Sequence, residues 1–183
     1  EMDGKKISAS ADKTIWQIAR EQKIDIPHLC YKDDKNYRAD GNCRACMVEI
    51  EGERVLAASC QRKASPGMKI TTNSARAKTS RKMVMELLLA AQPARTDSHD
   101  PNSHLWQTAD KQDIGNSRFA PKESPQADSS HPAIAVNMDA CIQCNLCVRA
   151  CREVQVNDVI GLAGRGADAR IIFDFDDNMG AST

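Results

Sequence analysis

The sequence has few aromatic residues and no excess of charge of either sign. Phe, Trp and Tyr make up 4% of 183 residues, and 25 Lys and Arg residues balance 25 Asp and Glu residues. Scarce aromatics argue against a large apolar core, and small lobes of this kind usually need a disulfide or a metal to stabilise them. Balanced charge leaves no strongly basic face, so we expect neither nucleic acid nor an anionic membrane as a partner.

Long apolar runs are also lacking. The longest, residues 83–91, is interrupted by Glu86 and is far too short to span a bilayer. No secretory or twin-arginine signal is present, so we expect a cytoplasmic protein. Because the first residue is Glu1 rather than Met, we expect the natural start to lie upstream.

Cysteine, by contrast, is abundant. The eight cysteines fall into two groups of four, each with a C-x2-C core, and none lies between Cys60 and Cys141. A disulfide framework is one interpretation of eight cysteines. The grouping, together with the lack of a secretory segment, instead favours metal ligation in a reducing compartment.

The second group has the spacing C-x2-C-x2-C-x3-C of bacterial ferredoxins, formed by Cys141, Cys144, Cys147 and Cys151. In that pattern the first three thiolates hold one [4Fe-4S] cluster, and a helix beginning in the last spacer directs the fourth to a second [4Fe-4S] cluster. A zinc site is the alternative, although it usually has two C-x2-C units separated by a longer spacer. The spacing therefore predicts an electron carrier.

The first group consists of Cys30, Cys43, Cys46 and Cys60, with the spacing C-x12-C-x2-C-x13-C. Plant-type ferredoxins place four residues between their first two cysteines, so the first gap here is longer. We predict that these four thiolates hold a [2Fe-2S] cluster.

Three neighbours of this group have predicted roles. Gly41 is expected to adopt a positive φ and to let the backbone approach the cluster closely. Arg44 is expected to raise the cluster potential by its positive charge, the alternative being a solvated surface arginine. Tyr31 is expected to cover the cluster rather than to take part in redox chemistry.

The patterns predict an α+β fold in three regions, the first of which, residues 1–73, is a β-grasp [2Fe-2S] ferredoxin-like domain. Its helix is capped by Asp12 or Thr14. The predicted elements are a strand or hairpin over Met2–Ser10, the helix over Ile15–Gln22, a hairpin of Met47–Ile50 with Val55–Ala57, and a last strand within Pro66–Thr72.

Residues 74–130 are predicted to form a helix from Ser74 to about Ala91, followed by a long extended linker anchored by Trp106 and Phe119. We assign the apolar side of that helix to Ala77, Met83, Val84, Leu87, Leu88 and Ala91, and a solvated face to Arg76, Lys78, Arg81 and Lys82. Residues 131–183 are predicted to be the first half of a two-cluster [4Fe-4S] ferredoxin module, with strands at His131–Asn137, Ile160–Leu162 and Ile171–Phe173.

Around Cys30 the chain resembles a known N-terminal [2Fe-2S] domain. The resemblance rests on Ile26-Pro27-His28-Leu29-Cys30-Tyr31 and on Gly41-Asn42-Cys43-Arg44-Ala45-Cys46-Met47-Val48-Glu49-Ile50. Three protein families share that domain: the large iron–sulfur subunit of respiratory complex I, the diaphorase subunit of NAD-reducing hydrogenases, and the α subunit of NAD-linked molybdenum or tungsten formate dehydrogenases.

The later part of the chain most resembles the α subunit of cytoplasmic NAD-dependent formate dehydrogenases, through residues 139–155 and the ending Phe173-Asp174-Phe175-Asp176-Asp177. In complex I subunits the middle segment resembles a cluster site with one histidine and three cysteines. This chain has His99 and His104 there but no cysteine, so that cluster cannot form and both histidines are expected to be ordinary polar residues.

The resemblance implies a division of labour within a larger enzyme. Formate would be oxidised at a molybdenum or tungsten bis-pterin centre in the remainder of the α subunit, and a β subunit that binds FMN and NAD would receive the electrons. This chain would supply relay stations only, and none of its residues is predicted to be catalytic. The alternatives are a subunit of a hydrogenase diaphorase or complex I-like NADH dehydrogenase, and a zinc-stapled interaction module without a redox role.

The second cysteine group is incomplete within this sequence. Cys141, Cys144 and Cys147 need a fourth ligand, and Cys151 needs a cluster to serve. We therefore expect the chain to be the N-terminal portion of a longer polypeptide, or its partner half to belong to another chain.

Overall fold

A computed structural model of the protein describes residues 1–181. It contains a three-stranded sheet in the first region and a two-stranded hairpin in the third, with helices between them. This mixture agrees with the predicted α+β class. Residues 182 and 183, the last two of the predicted third region, lie outside the described residues.

Helix α1 spans Ile15–Glu21, as the sequence predicts. Thr14, rather than Asp12, caps it: the Thr14 hydroxyl accepts from the Gln17 backbone N–H, and the Gln17 side chain accepts from the Thr14 N–H. Ile15, Ile18 and Ala19 form one apolar side of the helix and are buried in the main core of the first region. The Trp16 indole N–H donates to the Ile26 backbone oxygen over 3.0 Å, which fixes the connection from α1 to the first cysteine.

The sheet has the order β2-β1-β3, with β1 at Met47–Ile50, β2 at Ala57–Ala58 and β3 at Ile70–Thr71. Both outer strands run antiparallel to β1. The hairpin about the turn at residues 51–52 is confirmed, although β2 begins at Ala57 rather than Val55. The β-grasp assignment itself remains a prediction.

Of the strand or hairpin predicted over residues 2–10, no strand forms, and the hairpin is reduced to one tight turn. Met2 forms only isolated bridges, to Lys5 and to Ile70, around a turn in which Asp3 and Gly4 have positive φ. The Asp3 carboxylate accepts from the Thr72 N–H over 2.7 Å, and the Asp3 N–H donates to the Ile70 backbone oxygen over 2.9 Å, so both a side chain and the backbone hold the turn beside β3.

Helix α2 spans Ala75–Leu89 and is capped by Ser74, as predicted, but its buried face differs. Met83 and Leu87 are 37% and 52% exposed, whereas Arg81 is only 3% exposed. Arg81 donates to the Met47 backbone oxygen, over 2.8 and 2.6 Å, and to that of Thr72, over 2.5 Å. These bonds satisfy the buried guanidinium and turn its face of α2 toward β1.

Helix α3, His104–Lys111, lies in the segment that we predicted to be an extended linker, so that part of the prediction is wrong. The Ser103 hydroxyl caps it. Trp106 is buried, as expected of an anchor, and packs in a second core cluster with Met85 and Leu89 of α2 and with Leu29 beside the first cysteine.

In the third region the cysteine run leads into a short helix. Helix α4, Leu146–Arg149, continues into a π-helical stretch at Ala150–Gln155, so the predicted helical step before Cys151 is confirmed. Strands β4, Ile160–Ala163, and β5, Arg170–Phe173, form the predicted antiparallel hairpin.

The predicted strand at residues 131–137 is wrong. Only one bridge, between Asp128 and Val136, forms there. Pro132 supplies no backbone N–H for a ladder, which disfavours a continuous strand at this position. Within residues 1–181, no helix combines the length and the apolar character that crossing a membrane demands.

Candidate metal centres

The structure brings the first four cysteines together from three parts of the chain. Cys30 follows the connection after α1, Cys43 and Cys46 flank a loop that leads into β1, and Cys60 follows β2. Cys30, Cys46 and Cys60 are almost fully buried, and Cys43 is half-buried. All eight cysteines of the chain are free thiols.

Hydrogen bonds join these sulfurs to one another and to the backbone. The Cys30 N–H donates to the Cys43 sulfur over 3.4 Å. Hydrogen bonds from the Cys43 thiol, from the Cys60 thiol and from the backbone N–H groups of Cys43 and Asn42 lower the pKa of Cys30 to about 2. The bonds to Cys30 raise the pKa of both Cys43 and Cys60, so proton sharing within the group favours a thiolate at Cys30.

Ser59 lies beside the remaining thiol. Hydrogen bonding from Cys60, through its thiol and its backbone N–H, and from the Ser59 side chain lowers the pKa of Cys46 to about 6. The Ser59 N–H donates to the Cys46 backbone oxygen over 3.2 Å. Its hydroxyl is buried and reaches no nitrogen or oxygen partner among the described residues. A buried hydroxyl without an acceptor is costly, so the neighbouring Cys46 sulfur is the acceptor open to it.

The surroundings of the first four cysteines are those that an iron–sulfur cluster needs. The donors are four thiols, the surrounding backbone N–H groups point at sulfur, and the buried Ser59 hydroxyl lies beside the Cys46 thiol. Cysteine thiolates hold such clusters, and hydrogen bonds to sulfur tune their potential, so the residues fit. Residues 1–181 contain no group of three or more His, Cys, Asp or Glu side chains arranged to hold a single metal ion. The ligand set itself remains our prediction.

Gly41 and Arg44 both have positive φ, at +64° and +57°. A Cβ on Gly41 would lie 2.6 Å from Cδ of Gln61, so the crowding predicted at this glycine comes from a side chain. Arg44 is exposed, and its left-handed backbone reverses the chain between Cys43 and Cys46. Close approach of Gly41 to a cluster and the effect of Arg44 on its potential remain predictions.

Cys141 and Cys144 lie in a loop shaped by two left-handed residues, Gln143 and Asn145, whereas Cys147 lies in α4 and Cys151 in the π-helical stretch. The Gln143 N–H donates to the Cys141 sulfur over 3.4 Å. Burial raises the pKa of Cys144 and of Cys147, with further contributions from neighbouring thiols.

Cys151 is more deeply buried than the other members of its group. Its sulfur accepts the Val159 N–H over 3.2 Å. The charge of Cys151 also contributes to the raised pKa of Cys147, so the two thiols lie within electrostatic reach. Ligation of a separate cluster by Cys151 remains a prediction.

The two cysteine groups are neighbours in space. The charge of Cys30 contributes to the raised pKa of Cys144. The Asn42 side chain donates to the Gln143 backbone oxygen over 2.8 Å, and the Arg149 guanidinium donates to the Cys30 backbone oxygen over 2.5 Å. The sequence predicted none of these contacts, because the partners lie more than a hundred positions apart.

The other singled-out side chains have ordinary polar contacts. The His99 ring lies 2.8 Å from the Asn137 amide, and His104 Nε2 lies 2.6 Å from the His28 backbone oxygen. Tyr31 is buried, and its hydroxyl donates to Asp33 over 3.0 Å. Burial and that carboxylate raise the pKa of Tyr31, which keeps the phenol protonated and fits a covering role.

Two family models match the chain. Residues 1–75 match the 2Fe-2S iron-sulfur cluster binding domain. Residues 131–182 match the ferredoxin-like domain of NADH-quinone oxidoreductase subunit 3. Each match contains one of the two cysteine groups.

Similar proteins include the mitochondrial NADH-ubiquinone oxidoreductase 78 kDa subunit of Candida albicans, 33% identical over 93% of this chain and 24% of that subunit. The NADP-reducing hydrogenase subunit HndD of Solidesulfovibrio fructosivorans is 34% identical over 97% of this chain and 32% of that subunit. The chain thus spans about a quarter to a third of the length of these relatives. A chain of an NAD⁺-reducing [NiFe]-hydrogenase structure in the H₂-reduced state superposes with a TM-score of 0.80 and 26% identity, covering 98% of this chain and 78% of that one.

Proposed function

We propose that this chain relays electrons within an NAD-linked oxidoreductase, because it matches a 2Fe-2S domain and a ferredoxin-like domain and resembles the complex I 78 kDa subunit and an NAD⁺-reducing hydrogenase chain over more than nine-tenths of its length. The contact between the two cysteine groups carries this proposal. Asn42 and Arg149 bond across it, and Cys144 lies within electrostatic reach of Cys30. Adjacent cluster sites are what electron exchange requires.

The proposed ligands are those expected from the spacings. Cys30, Cys43, Cys46 and Cys60 would hold a [2Fe-2S] cluster. Cys141, Cys144 and Cys147 would hold a [4Fe-4S] cluster, and Cys151 a second one. The proposed divisions of the chain are residues 1–73, 74–130 and 131–183.

When bound, such a cluster accepts and releases single electrons. The chain's own residues control the environment in which this happens. Burial of Cys30, Cys46 and Cys60 keeps water away from the first site. Backbone N–H groups and the Ser59 hydroxyl face sulfur, where they stabilise negative charge and so favour the reduced state.

At a finer level we propose that the complete enzyme is a cytoplasmic formate dehydrogenase. The resemblance of residues 139–155 to its α subunit supports this, and so does the lack of cysteine between Cys60 and Cys141. The partners would be a pterin domain with molybdenum or tungsten and a subunit that binds FMN and NAD.

A second candidate is a hydrogenase diaphorase or a complex I-like dehydrogenase. The similarity to the NAD⁺-reducing [NiFe]-hydrogenase chain, over 98% of this chain, favours the hydrogenase. The mitochondrial 78 kDa relative favours the complex I-like enzyme.

Low-temperature EPR of the anaerobically reduced protein, with iron, sulfide and zinc analysis, tests the relay. We expect a [2Fe-2S] signal and a faster-relaxing [4Fe-4S] signal. Zinc bound in place of iron would overturn the proposal in favour of a stapled interaction module.

The finer assignment needs the assembly purified through a tag on this chain. Formate, dihydrogen and NADH are each added anaerobically, and reduction of the clusters is followed by EPR. Reduction by formate supports the formate dehydrogenase. Reduction by dihydrogen, or by NADH with neither formate nor dihydrogen effective, would support the hydrogenase or the complex I-like enzyme instead.

A further inference from the structure

Arg149 is a buried arginine in the middle of the second cysteine run, with a side chain only 4% exposed. Its guanidinium points back into the first region. It donates to the Cys30 backbone oxygen over 2.5 Å and to the Arg38 backbone oxygen, and its Nε lies 3.2 Å from Oδ2 of Asp40. One side chain of the second group thus contacts three residues around the first.

These contacts satisfy a charge that burial would otherwise make costly. Breaking up a buried ion pair is strongly destabilising because the remaining charge is left without a partner. The Tyr37 ring adds a contact, with its centroid 5.7 Å from the guanidinium carbon. The planar fork of arginine can bond several oxygens in fixed directions, which a lysine ammonium in the same place cannot reproduce.

The other links between the two groups are exposed. The Asn42–Gln143 hydrogen bond lies at the surface. The Arg38 guanidinium lies 3.3 Å from Glu153, but the Arg38 side chain is 78% exposed. Exposed pairs contribute little to stability, so Arg149 makes the main polar contact between the second cysteine group and the first.

We propose that Arg149 is a positioning residue for electron exchange. It fixes the separation of the two cluster sites, and its positive charge beside Cys30 raises the potential of the first. The proposal rests on the relay function proposed above. In the exchange one cluster loses an electron and the other gains it, and no bond or proton moves.

Two substitutions separate fastening from charge. Arg149→Lys keeps the positive charge but loses the planar set of N–H donors, whereas Arg149→Gln loses both. The matched control is Arg152→Gln, in the same helical stretch, because Arg152 is exposed and bonds only Asp158 across 2.9 Å among the contacts described. Each protein is purified anaerobically. Amide exchange is measured by mass spectrometry, and the [2Fe-2S] potential by EPR titration.

We expect both Arg149 variants to show about tenfold faster amide exchange in residues 38–43 and 141–149, because charged hydrogen bonds close the contact. Only Arg149→Gln should lower the [2Fe-2S] potential, with Arg149→Lys close to wild type. The Arg152 control should change neither quantity.

If Arg149→Gln matches the control in both measurements, the inference is wrong. Should that variant fail to fold, Asp40→Asn serves in its place. It keeps both backbone bonds of Arg149, and we expect faster exchange with a raised potential, since a negative charge is removed. Unchanged exchange and potential in Asp40→Asn would also overturn the inference. Absence of iron from the wild-type protein would refute the proposed relay function. The amide-exchange measurement would then still test whether Arg149 holds the two cysteine groups together.

Discussion

The Arg118 guanidinium lies 2.6 Å from the carboxylate of Glu86, joining the irregular middle segment to helix α2. The Glu86 side chain is only 6% exposed, whereas that of Arg118 is 58% exposed. The pair therefore holds the polar middle segment against α2. Because the Glu86 carboxylate is nearly buried, water can solvate its charge only weakly, and Arg118 compensates it.

Loss of this contact should destabilise the chain. Arg118→Gln removes the charge that compensates Glu86, and we expect the free energy of unfolding to fall by about 1–3 kcal/mol, below the buried-pair range because Arg118 is partly solvated. The exposed pair of Lys69 and Glu51 provides the control, and Lys69→Gln should cost less than about 1 kcal/mol. Chemical denaturation of both variants measures the difference, and equal effects would contradict this account.

Substitution of Gly41 should cost both strain and contact. At φ +64°, alanine pays the left-handed backbone penalty, and its Cβ displaces Gln61, whose amide donates to the Ala39 backbone oxygen over 3.1 Å. We expect a loss of about 2–3 kcal/mol.

Gly67 isolates the backbone part of that cost. It has φ +78° and nothing within 4 Å of an added Cβ, so Gly67→Ala carries the backbone penalty alone. We expect it to lose about 1–2 kcal/mol. If thermal unfolding shows no extra loss for Gly41→Ala, displacement of Gln61 has no energetic consequence.

Ser59→Ala should lower the potential of the first cluster. A hydroxyl that donates to sulfur favours the more negative, reduced state. A net hydrogen bond of about 1 kcal/mol corresponds to roughly 40 mV for a one-electron couple. An EPR redox titration measures the shift, with Ser65→Ala, at an exposed serine, as the control. An unchanged or raised midpoint potential in Ser59→Ala would show that the hydroxyl does not act on the cluster.

The two ligand sets should be separable by single substitutions. Cys43→Ser is expected to abolish the [2Fe-2S] signal while leaving the signal of the second region, and Cys147→Ser should do the reverse. Iron–sulfur clusters select soft thiolate ligands over a hard hydroxyl oxygen, so each substitution weakens one ligand set. EPR with iron analysis follows each signal, and loss of both from either single substitution would argue against two independently formed sites.

Much of the local structure was predictable because its signals are local. Ser74 and Thr14 cap helices that the sequence places nearly to the residue, and the spacing of the cysteines fixes the turns around them. Helix α3 was missed because its eight residues, HLWQTADK, lie within a polar stretch, although Ser103 offered a capping signal.

Buried charge was the main failure. Four buried residues of α2 recur every four positions: Ala77, Arg81, Met85 and Leu89. Because one of them is charged, a search for apolar periodicity does not recognise this series as the buried face. Whether an arginine is buried depends on which backbone oxygens face it after folding. For Arg81 those oxygens come from Met47 and Thr72, and for Arg149 from Cys30 and Arg38, and local periodicity records neither.

The bonds from Arg81 to Met47, from Arg149 to Arg38 and from Asn42 to Gln143 end on main-chain oxygens, and this has a consequence for sequence variation. A donor that binds a carbonyl oxygen sets no requirement on the side chain of the residue that provides it. Met47, Arg38 and Gln143 are therefore free, as far as these bonds are concerned, to be exchanged for residues of other types, while the donors are not. Paired substitutions between the two halves of these bonds would accordingly be absent. A search for covarying positions would pass over them and detect, between the two cysteine groups, side-chain pairs such as Arg149 with Asp40.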